Sequence, residues 1–175
     1  MGIISRPQKV KLIVGLIFSD CEKYSAIKDD LAKIFGGADF ESESFDFTRT
    51  TYYTDEMGPG LKRRFLSFER LLDLNNIYAV KIRTNRIEMR YADEGKRTVN
   101  IDPGYLNLSK LVLFSTKDYS HRIYLGGGIF SELTLSYRDD EFNPLPWTYP
   151  DYRTKEYRDI FSRIRQIYKR QLKSG

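Results

Sequence analysis

The segment LKRRFLSFERLL, residues 61–72, decides the fold, because its apolar residues fit either a strand or a helix. We interpret it as a strand that pairs antiparallel with the preceding strand, DFESESFDF at 39–47, whose side chains alternate toward its end. The connection over 48–60 is long and turns at Met57-Gly58-Pro59-Gly60. The topology predicted below depends on this interpretation.

The residues ahead of this pair predict a strand followed by a helix. KVKLIVGLIFS at 9–19 is a continuous apolar run with β-branched residues, which is typical of a strand buried on both faces. Ser19 and Glu22 have the spacing of a capping box, so the helix is expected to begin there, and Gly36-Gly37 is expected to end it. The buried stripe of this helix is predicted to be Tyr24, Ile27, Leu31 and Ile34.

A second helix and a series of strands are predicted next. Asp73 can cap the helix and Gly95 can close it. Its buried face is predicted to be Ile77, Val80, Thr84, Ile87 and Tyr91. EGKRTVNIDPGYLNL at 94–108 contains a strand that is expected to stop at an Asp102-Pro103-Gly104 turn. The later strand-like segments are 110–117, 121–126 and 129–138, with a tight hairpin at Gly126-Gly127-Gly128.

The C-terminal part is expected to hold one half-buried strand, a loop and a helix. In the strand at 129–138, Leu133, Leu135 and Tyr137 alternate with Glu132, Thr134 and Ser136. Residues 143–153, the Pro/aromatic loop, carry three prolines and cannot form regular structure for long. The helix over 154–173 is expected to bury Tyr157, Ile160, Phe161, Ile164, Tyr168 and Leu172 and to expose the basic residues Arg158, Arg165, Lys169 and Lys173.

The predicted order of elements defines the expected fold class. The order β-α-β-β-α-β is the split β-α-β pattern of ferredoxin-like folds. We therefore expect an α+β fold with a ferredoxin-like core, a mixed but mainly antiparallel sheet, extra strands and a C-terminal helix. A chain of 175 residues is expected to form a single domain over 1–175, with a loose N-terminus at 1–8.

The composition narrows the kinds of site and partner. The single cysteine, Cys21, and single histidine, His121, exclude a disulfide framework and metal sites built from several cysteines or histidines. A net charge of +5 permits an anionic partner, but no RNA-binding signature accompanies the basic last helix, so nucleic acid is not expected. No transmembrane-length apolar window and no signal-peptide pattern occur, so no membrane partner is expected and the cytoplasm is the expected compartment.

Three polar residues of the 94–108 stretch are candidates for a site: Arg97, Asn100 and Asp102. Asn100 and Asp102 are two apart on a strand and face the same side, where an amide and a carboxylate could hold a hydrated Mg²⁺ or a ligand hydroxyl. In the alternative, Asp102 bonds its own backbone in a turn and Asn100 lies on an exposed edge.

The stretch STKDYSHRIYLGGG, residues 115–128, places Lys117, His121 and Arg122 ahead of the triple glycine. Backbone amides of a glycine-rich turn, together with Lys and Arg, suit an anionic ligand such as phosphate, although the spacing matches no phosphate-binding loop. His121 could act as a general acid or base. The alternative is a polar hairpin with exposed basic residues.

Two further groups have both a functional and a structural interpretation. Trp147 and Tyr149 of the Pro/aromatic loop could stack on a planar ligand, or the loop could simply hold the last helix against the sheet. Lys81, Asn85 and Glu88 lie on one side of the second helix and could clamp a loop or line a pocket, or form a solvated face.

Several long motifs resemble a known family. RTVNIDPGYL, TKDYSHRIYLGGGIFSELTL, IRTNRIE and LPWTYPDYR are similar to the hallmarks of a bacterial and archaeal family, domain of unknown function 4416. The resemblance covers nearly the whole chain and implies no established activity. Residues 97–102 are also similar to the strand Arg-Thr-Ile-Asp-Leu-Asp of ferredoxin-like pterin pyrophosphokinases, whose two aspartates bind Mg²⁺. Asn100 replaces the first aspartate here, so this resemblance supports the fold more than a metal site.

These observations lead to one functional hypothesis and two alternatives. The hypothesis is a pocket for an anionic, phosphorylated or nucleotide-like ligand, formed by NIDPGY (100–105), TKDYSHR (116–122) and PWTYPDY (146–152). Its candidate ligand-binding residues are Arg97, Asn100, Lys117, Arg122, Trp147 and Tyr149, and its candidate catalytic residues are His121 and Asp102. The alternatives are Mg²⁺-dependent phosphoryl or pyrophosphoryl transfer, with Asp102 and Glu132 as metal ligands, and a module that binds protein or RNA.

Overall fold

A computed structural model gives the fold and describes residues 2–48 and 53–174. Its strands are β1 (Lys11–Phe18), β2 (Ala38–Glu41), β3 (Phe45–Asp46), β4 (Lys62–Phe68), β5 (Val99–Leu106), β6 (Lys110–Ser115), β7 (Arg122–Gly126), β8 (Ile129–Arg138) and β9 (Glu141–Pro144). Its helices are α1 (Cys21–Phe35), α2 (Thr54–Met57), α3 (Ala79–Arg90) and α4 (Lys155–Ser174). The prediction of an α+β fold with a C-terminal helix is confirmed.

The nine strands form one sheet in the order β2-β4-β1-β5-β6-β8-β7, with β3 also paired with β4 and β9 with β8. Every pairing among these strands is antiparallel, so the described residues contain no parallel neighbours of the kind that a mixed sheet requires. The deciding segment 61–72 supplies β4, which pairs antiparallel with β1, β2 and β3. Its interpretation as a strand is therefore confirmed.

Strand β1 lies inside the sheet, and all eight of its residues are buried. Alternate side chains of a strand face opposite layers. One set packs against α1 and α3, namely Leu12, Val14, Leu16 and Phe18. On the other face, Ile13 packs in the cluster formed with α4. The sheet is thus covered on both sides, which explains why the sequence of β1 after Lys11 is an unbroken apolar run.

Helix α1 follows the prediction except at its first and last residues. Asp20, rather than Ser19, caps the helix, because its carboxylate accepts hydrogen bonds from two backbone N–H groups of the first turn. Phe35, rather than Ile34, completes the buried stripe. Gly36 ends the helix as predicted, with a φ of 95° that favours glycine.

The second long helix, α3, has different boundaries from those predicted. Asp73 caps a turn by accepting from the N–H of Asn75, and the helix begins only at Ala79. It ends at Arg90, so Gly95 does not close it and lies instead in a separate turn. The predicted burial of its inner face is confirmed at Ile77, Val80, Thr84 and Ile87.

The region between α1 and β4 is more broken than predicted. The strand expected at 39–47 is two short strands, β2 and β3, which both pair with β4. Of the predicted connection at 48–60, residues 49–52 lie outside the described part of the chain, and the remainder contains the short helix α2.

Strand β5 continues through the expected turn at Asp102-Pro103-Gly104 and ends at Leu106. It pairs with β1 along its whole length but with β6 only from Gly104 onward. Pro103 therefore lies where β5 is not paired with β6. The N–H that proline lacks is not needed for strand pairing on that side. A Cβ at Gly104 would lie 2.2 Å from the backbone oxygen of Val112, so glycine is required where the two strands meet.

Strand β8 does not alternate as predicted. Glu132 is 2% exposed and Thr134 is fully buried, whereas Leu133 is 36% exposed. The register with β6 shifts between Leu111 and Val112, which inserts Thr134 as an extra residue in β8. Such a bulge moves the following side chains to the opposite face of the sheet. The alternation of polar and apolar residues in the sequence does not show where the extra residue lies.

The remaining C-terminal elements follow the prediction, except that Asn143 and Pro144, the first residues of the predicted loop, belong to β9. The hairpin between β7 and β8 turns at Gly127 and Gly128, which have φ values of 59° and 77°. Helix α4 buries Tyr157, Ile160, Phe161, Ile164 and Tyr168, and Leu172 is partly buried. Among the described residues, no helix combines the length and the apolar character needed to cross a membrane.

Candidate functional site

The sheet face toward α4 is covered in two parts, by the helix and by the Pro/aromatic loop. The helix packs on apolar residues of the sheet, including Ile13 and Leu106. Five polar residues lie on the same face, and we call them the polar row: Arg63, Asn100, Asp102, Arg122 and Glu132. The loop bonds to the two arginines, through Asp151 to Arg63 and through Tyr149 to Arg122. These five residues come from β4, β5, β7 and β8, so the fold gathers them from distant parts of the sequence.

Arg63 is the buried cation at one end of the polar row, with a side chain that is 4% exposed. Its Nη1 donates to Oδ2 of Asp102 at 3.1 Å, and its Nη2 donates to Oδ2 of Asp151 at 3.4 Å. Its guanidinium carbon lies 5.0–5.7 Å from the ring centroids of Phe47, Phe65 and Tyr152. Two carboxylates and three rings thus replace the water that a buried guanidinium loses.

Gly15, in the middle of β1, makes room for this cluster. A Cβ at this position would lie 2.7 Å from Nη1 of Arg63 and 3.2 Å from the hydroxyl of Tyr152. The guanidinium and the hydroxyl therefore meet over the glycine. Sequence reasoning missed Arg63 and included Asp151 and Tyr152 only within the segment PWTYPDY, without a role for either, although a glycine inside the apolar run KLIVGLIF signals a close approach by another group.

Three buried hydrogen-bond donors near this position have no partner within the described residues. They are Nε of Arg63, Nδ2 of Asn100 and the hydroxyl of Tyr152, on residues that are 3%, 4% and 2% exposed. We call these three groups the donor cradle. A buried polar group without a partner costs about 1–3 kcal/mol, and such groups call for a specific explanation. Asp102, whose side chain is 28% exposed, is where the cluster opens to solvent.

Burial also raises the pKa of two groups beside the cradle. Desolvation raises the pKa of Tyr152 well above its ordinary value, so the hydroxyl keeps its proton and can donate. Desolvation likewise raises the pKa of Asp151, and the neighbouring charge of Arg63 opposes that rise.

Asn100 is oriented by Arg97, which was also predicted as a site residue. Its Oδ1 accepts from Nη1 of Arg97 at 3.0 Å, which leaves Nδ2 as the unmet group. Arg97 in turn binds Glu56, with Nη2 and Oε2 at 2.6 Å. This ion pair forms part of the wall of a cavity of about 270 Å³ beside the start of α1.

Arg122 and Glu132 form the ion pair at the other end of the polar row, with side chains only 2% and 1% exposed. Nε of Arg122 donates to Glu132 at 2.9 Å, and Nη2 donates to the hydroxyl of Tyr149 at 2.6 Å. Nη1 bonds the hydroxyl of Ser115 and the backbone oxygen of Lys117. All three guanidinium nitrogens are therefore engaged within the chain, and Arg122 ties the Pro/aromatic loop to the sheet.

The predicted residues His121, Trp147 and Tyr149 come together beside this ion pair. The rings of His121 and Trp147 are nearly parallel, with centroids 5.5 Å apart, and Nε2 of His121 lies 3.4 Å from Glu132. Trp147 remains 39% exposed. The ring of Tyr149 lies 6.3 Å from that of Tyr152, which links this end of the row to the donor cradle.

The two predicted metal ligands are held by different cations. Asp102 binds Arg63, and Glu132 binds Arg122. Within residues 2–48 and 53–174, no three His, Cys, Asp or Glu side chains are grouped so that they could hold a metal ion.

Two other predicted groups contribute to packing. A Cβ at Gly126 or Gly127 would lie 3.0–3.2 Å from the ring of Tyr78, so the triple glycine lets the hairpin approach the segment that leads into α3. Lys81 donates to the oxygen of Ile101 at 2.7 Å, and Glu88 accepts from its N–H at 2.5 Å. These two side chains of α3 clamp the edge of β5 where β6 has separated.

The family relationship follows from a comparison with known proteins. Residues 8–168 match the family described as Domain of unknown function (DUF4416). No curated protein and no solved structure matches the chain. The family match runs from the residues before β1 into α4 and includes the polar row, the donor cradle and the Pro/aromatic loop. The chain therefore belongs to the DUF4416 family.

Proposed function

We propose that this protein binds a small ligand at the donor cradle, beneath the Pro/aromatic loop. The observation that carries the proposal is the set of three buried donors, on Arg63, Asn100 and Tyr152, that no described residue satisfies. Because each unmet group can donate, the ligand is expected to supply acceptor atoms. The oxygens of an anionic, phosphorylated or nucleotide-like molecule would meet this requirement.

Other residues around the donor cradle have assigned roles in this proposal. Asp102, at the opening to solvent, would accept from a ligand N–H or O–H. Trp147 would offer its exposed ring to a planar part of the ligand. Arg122 would position Tyr149 and the loop, and Lys117 and His121 would lie at the outer rim.

We also propose that the first part of the sheet corresponds to a ferredoxin-like split β-α-β core. Two observations support this assignment. The order β2-β4-β1-β5 places β4 between the two strands that α1 connects, and places β1 between the two strands that α3 connects. Both helices pack on the same face of the sheet.

Of the two alternatives, the interaction module has one observation in its favour. Strand β7 ends the sheet, and its residues Ile123 and Tyr124 are 72% and 60% exposed. If this edge pairs with the same edge of a second copy, light scattering should detect a dimer that Ile123→Lys converts to a monomer. Phosphoryl transfer has less support, because Asp102 and Glu132 each bind an arginine.

A thermal-shift screen tests the ligand proposal. The probes are nucleosides, nucleotides, phosphorylated metabolites, carboxylates and amides. At least one class is expected to raise the melting temperature, and Tyr152→Phe is expected to abolish that rise. Tyr168→Phe is the matched control, because the hydroxyl of Tyr168 already bonds the oxygen of Lys9, and the rise should persist in it. No shift with any class, or an equal shift in Tyr152→Phe, would contradict the proposal.

A further inference from the structure

We infer that the group bound by the donor cradle is the C=O and N–H of an uncharged amide or lactam, rather than a phosphate. This inference rests on the proposed function and specifies the chemical class of its ligand. It follows from the balance of charge around the cradle and from the type of each unmet group.

The balance of charge around the cradle disfavours an added anion. Arg63 is shared by two carboxylates, those of Asp102 and Asp151. The neighbouring arginines are also paired, Arg97 with Glu56 and Arg122 with Glu132. In these ion pairs, three arginines thus face four carboxylates, which leaves one negative charge in excess among the paired groups. A phosphate dianion would add two more charges where burial weakens screening by solvent.

The unmet donors themselves fit a neutral acceptor. Nδ2 of Asn100 and the hydroxyl of Tyr152 are uncharged, and the third donor belongs to Arg63, whose charge is already compensated. Sites for carboxylate or phosphate usually offer Arg or Lys groups whose charge the ligand itself neutralises. A carbonyl oxygen requires donors but no net positive charge, which is what the cradle supplies.

The carboxylate of Asp102 provides a hydrogen-bond acceptor beside the donor cradle. Asp102 accepts from Arg63 through Oδ2, and its side chain reaches solvent. A ligand N–H next to a carbonyl could donate to this carboxylate while the carbonyl oxygen accepts from the cradle. Adjacent C=O and N–H groups occur in carboxamides and in the lactam rings of nucleobases. The donors of the cradle and the acceptor on Asp102 are therefore complementary to the adjacent C=O and N–H of an amide.

NMR titration of the ¹⁵N-labelled protein tests this inference with probes that differ in one group. Hypoxanthine carries a lactam where adenine carries an amino group, and acetamide differs from acetate in charge. We expect hypoxanthine and acetamide to shift the amide resonances of Gly15 and Tyr152. Adenine, acetate and inorganic phosphate should bind at least about tenfold more weakly, and Tyr152→Phe should weaken hypoxanthine about tenfold.

A second variant tests the charge argument directly. Asp102→Asn removes the excess negative charge, so inorganic phosphate and acetate are expected to bind this variant more tightly than they bind the wild type. The spectrum of each variant shows whether it is folded, and Tyr168→Phe should bind hypoxanthine like the wild type.

The outcomes separate the inference from the proposed function. If phosphate or acetate binds as tightly as acetamide, and Tyr152→Phe abolishes that binding, the inference is wrong and the proposed function stands. If no probe gives a shift that depends on Tyr152, both are wrong. If the amides bind more tightly and Asp102→Asn improves anion binding, the ligand class is established.

Discussion

The two faces of β1 are equally buried but filled very differently. On one face, Leu12, Val14, Leu16 and Phe18 pack in an apolar cluster with residues of α1, α3 and adjacent strands. The other face has a gap at Gly15, which a buried arginine, two carboxylates and a tyrosine hydroxyl surround. The four side chains of the first face belong to the apolar core. The second contains buried charges and unmet donors, features that a protein tolerates where it has a function to perform.

The largest expected difference in stability between the two faces comes from replacing two adjacent arginines of β4, one on each face. Arg63→Leu leaves Asp102 and Asp151 without their cation and is expected to lower the free energy of unfolding by about 3–5 kcal/mol. Arg64 points to the opposite face, is 32% exposed and binds Glu41, so Arg64→Leu is expected to cost about 1 kcal/mol or less. Urea denaturation of the two variants measures the difference.

A rescue experiment shows whether the cost arises from uncompensated charge. Adding Asp102→Asn and Asp151→Asn to Arg63→Leu should recover most of the lost stability, because it removes both carboxylate charges that Arg63 compensates. Equal losses in Arg63→Leu and Arg64→Leu would mean that the two faces do not differ in this way.

The same pair of arginines shows what the sequence could and could not predict. Periodicity correctly predicted β1, α1 and α4, because their burial pattern is set by local spacing. The run Lys-Arg-Arg in 62–64 does not reveal which arginine is buried. That outcome depends on Asp102 and Asp151, which are 39 and 88 residues away along the chain.

The candidate site was predictable only in part for similar reasons. The polar stretch around Asn100 and Asp102 was visible, because two polar residues on one side of an apolar strand are unusual. The burial of Glu132 was not, because it depends on the bulge at Thr134, which no local pattern signals. The separation of β5 from β6, which makes Pro103 acceptable in a strand, is likewise a property of the assembled sheet.

A smaller effect is expected from filling the gap in β1. Gly15→Ala would place a methyl group 2.7 Å from Nη1 of Arg63, which its carboxylates and rings hold in place, and is expected to cost about 1–3 kcal/mol. It should also abolish ligand-dependent shifts in melting temperature. Gly37→Ala is the control, because its nearest neighbour, Glu69, lies at an ordinary contact distance of 3.5 Å. An unchanged melting temperature and unchanged ligand response in Gly15→Ala would show that the guanidinium can move aside.

The pH dependence of stability should have opposite signs for Asp151, beside the donor cradle, and for Glu56, which pairs with Arg97. Desolvation raises the pKa of Asp151, so its contribution is fully present below the unfolded-state pKa and is lost as the pH rises through the folded-state pKa. A hydrogen bond from Arg97 lowers the pKa of Glu56, so its contribution is present above the unfolded-state pKa and is lost as the pH falls through the folded-state pKa.

Two carboxamide variants isolate these contributions. Relative to the wild type, Asp151→Asn should gain stability as the pH rises, and Glu56→Gln should gain stability as the pH falls. Urea denaturation between about pH 3 and pH 7 measures both slopes. Slopes of the same sign would mean that burial does not dominate the environment of Asp151.

The smallest expected effect on stability comes from removing the hydroxyl oxygen of each of two buried tyrosines in turn. This comparison is the most specific test of the face of β1 that contains the donor cradle. The hydroxyl of Tyr168 donates to the backbone oxygen of Lys9 at 2.7 Å, so Tyr168→Phe is expected to cost about 1 kcal/mol. The hydroxyl of Tyr152 has no partner among the described residues, so Tyr152→Phe should leave stability unchanged or raise it by up to about 1 kcal/mol. If both variants lose the same stability, the hydroxyl of Tyr152 is bonded in the folded protein without a ligand. If Tyr152→Phe loses only ligand binding, that oxygen is retained for recognition rather than for folding.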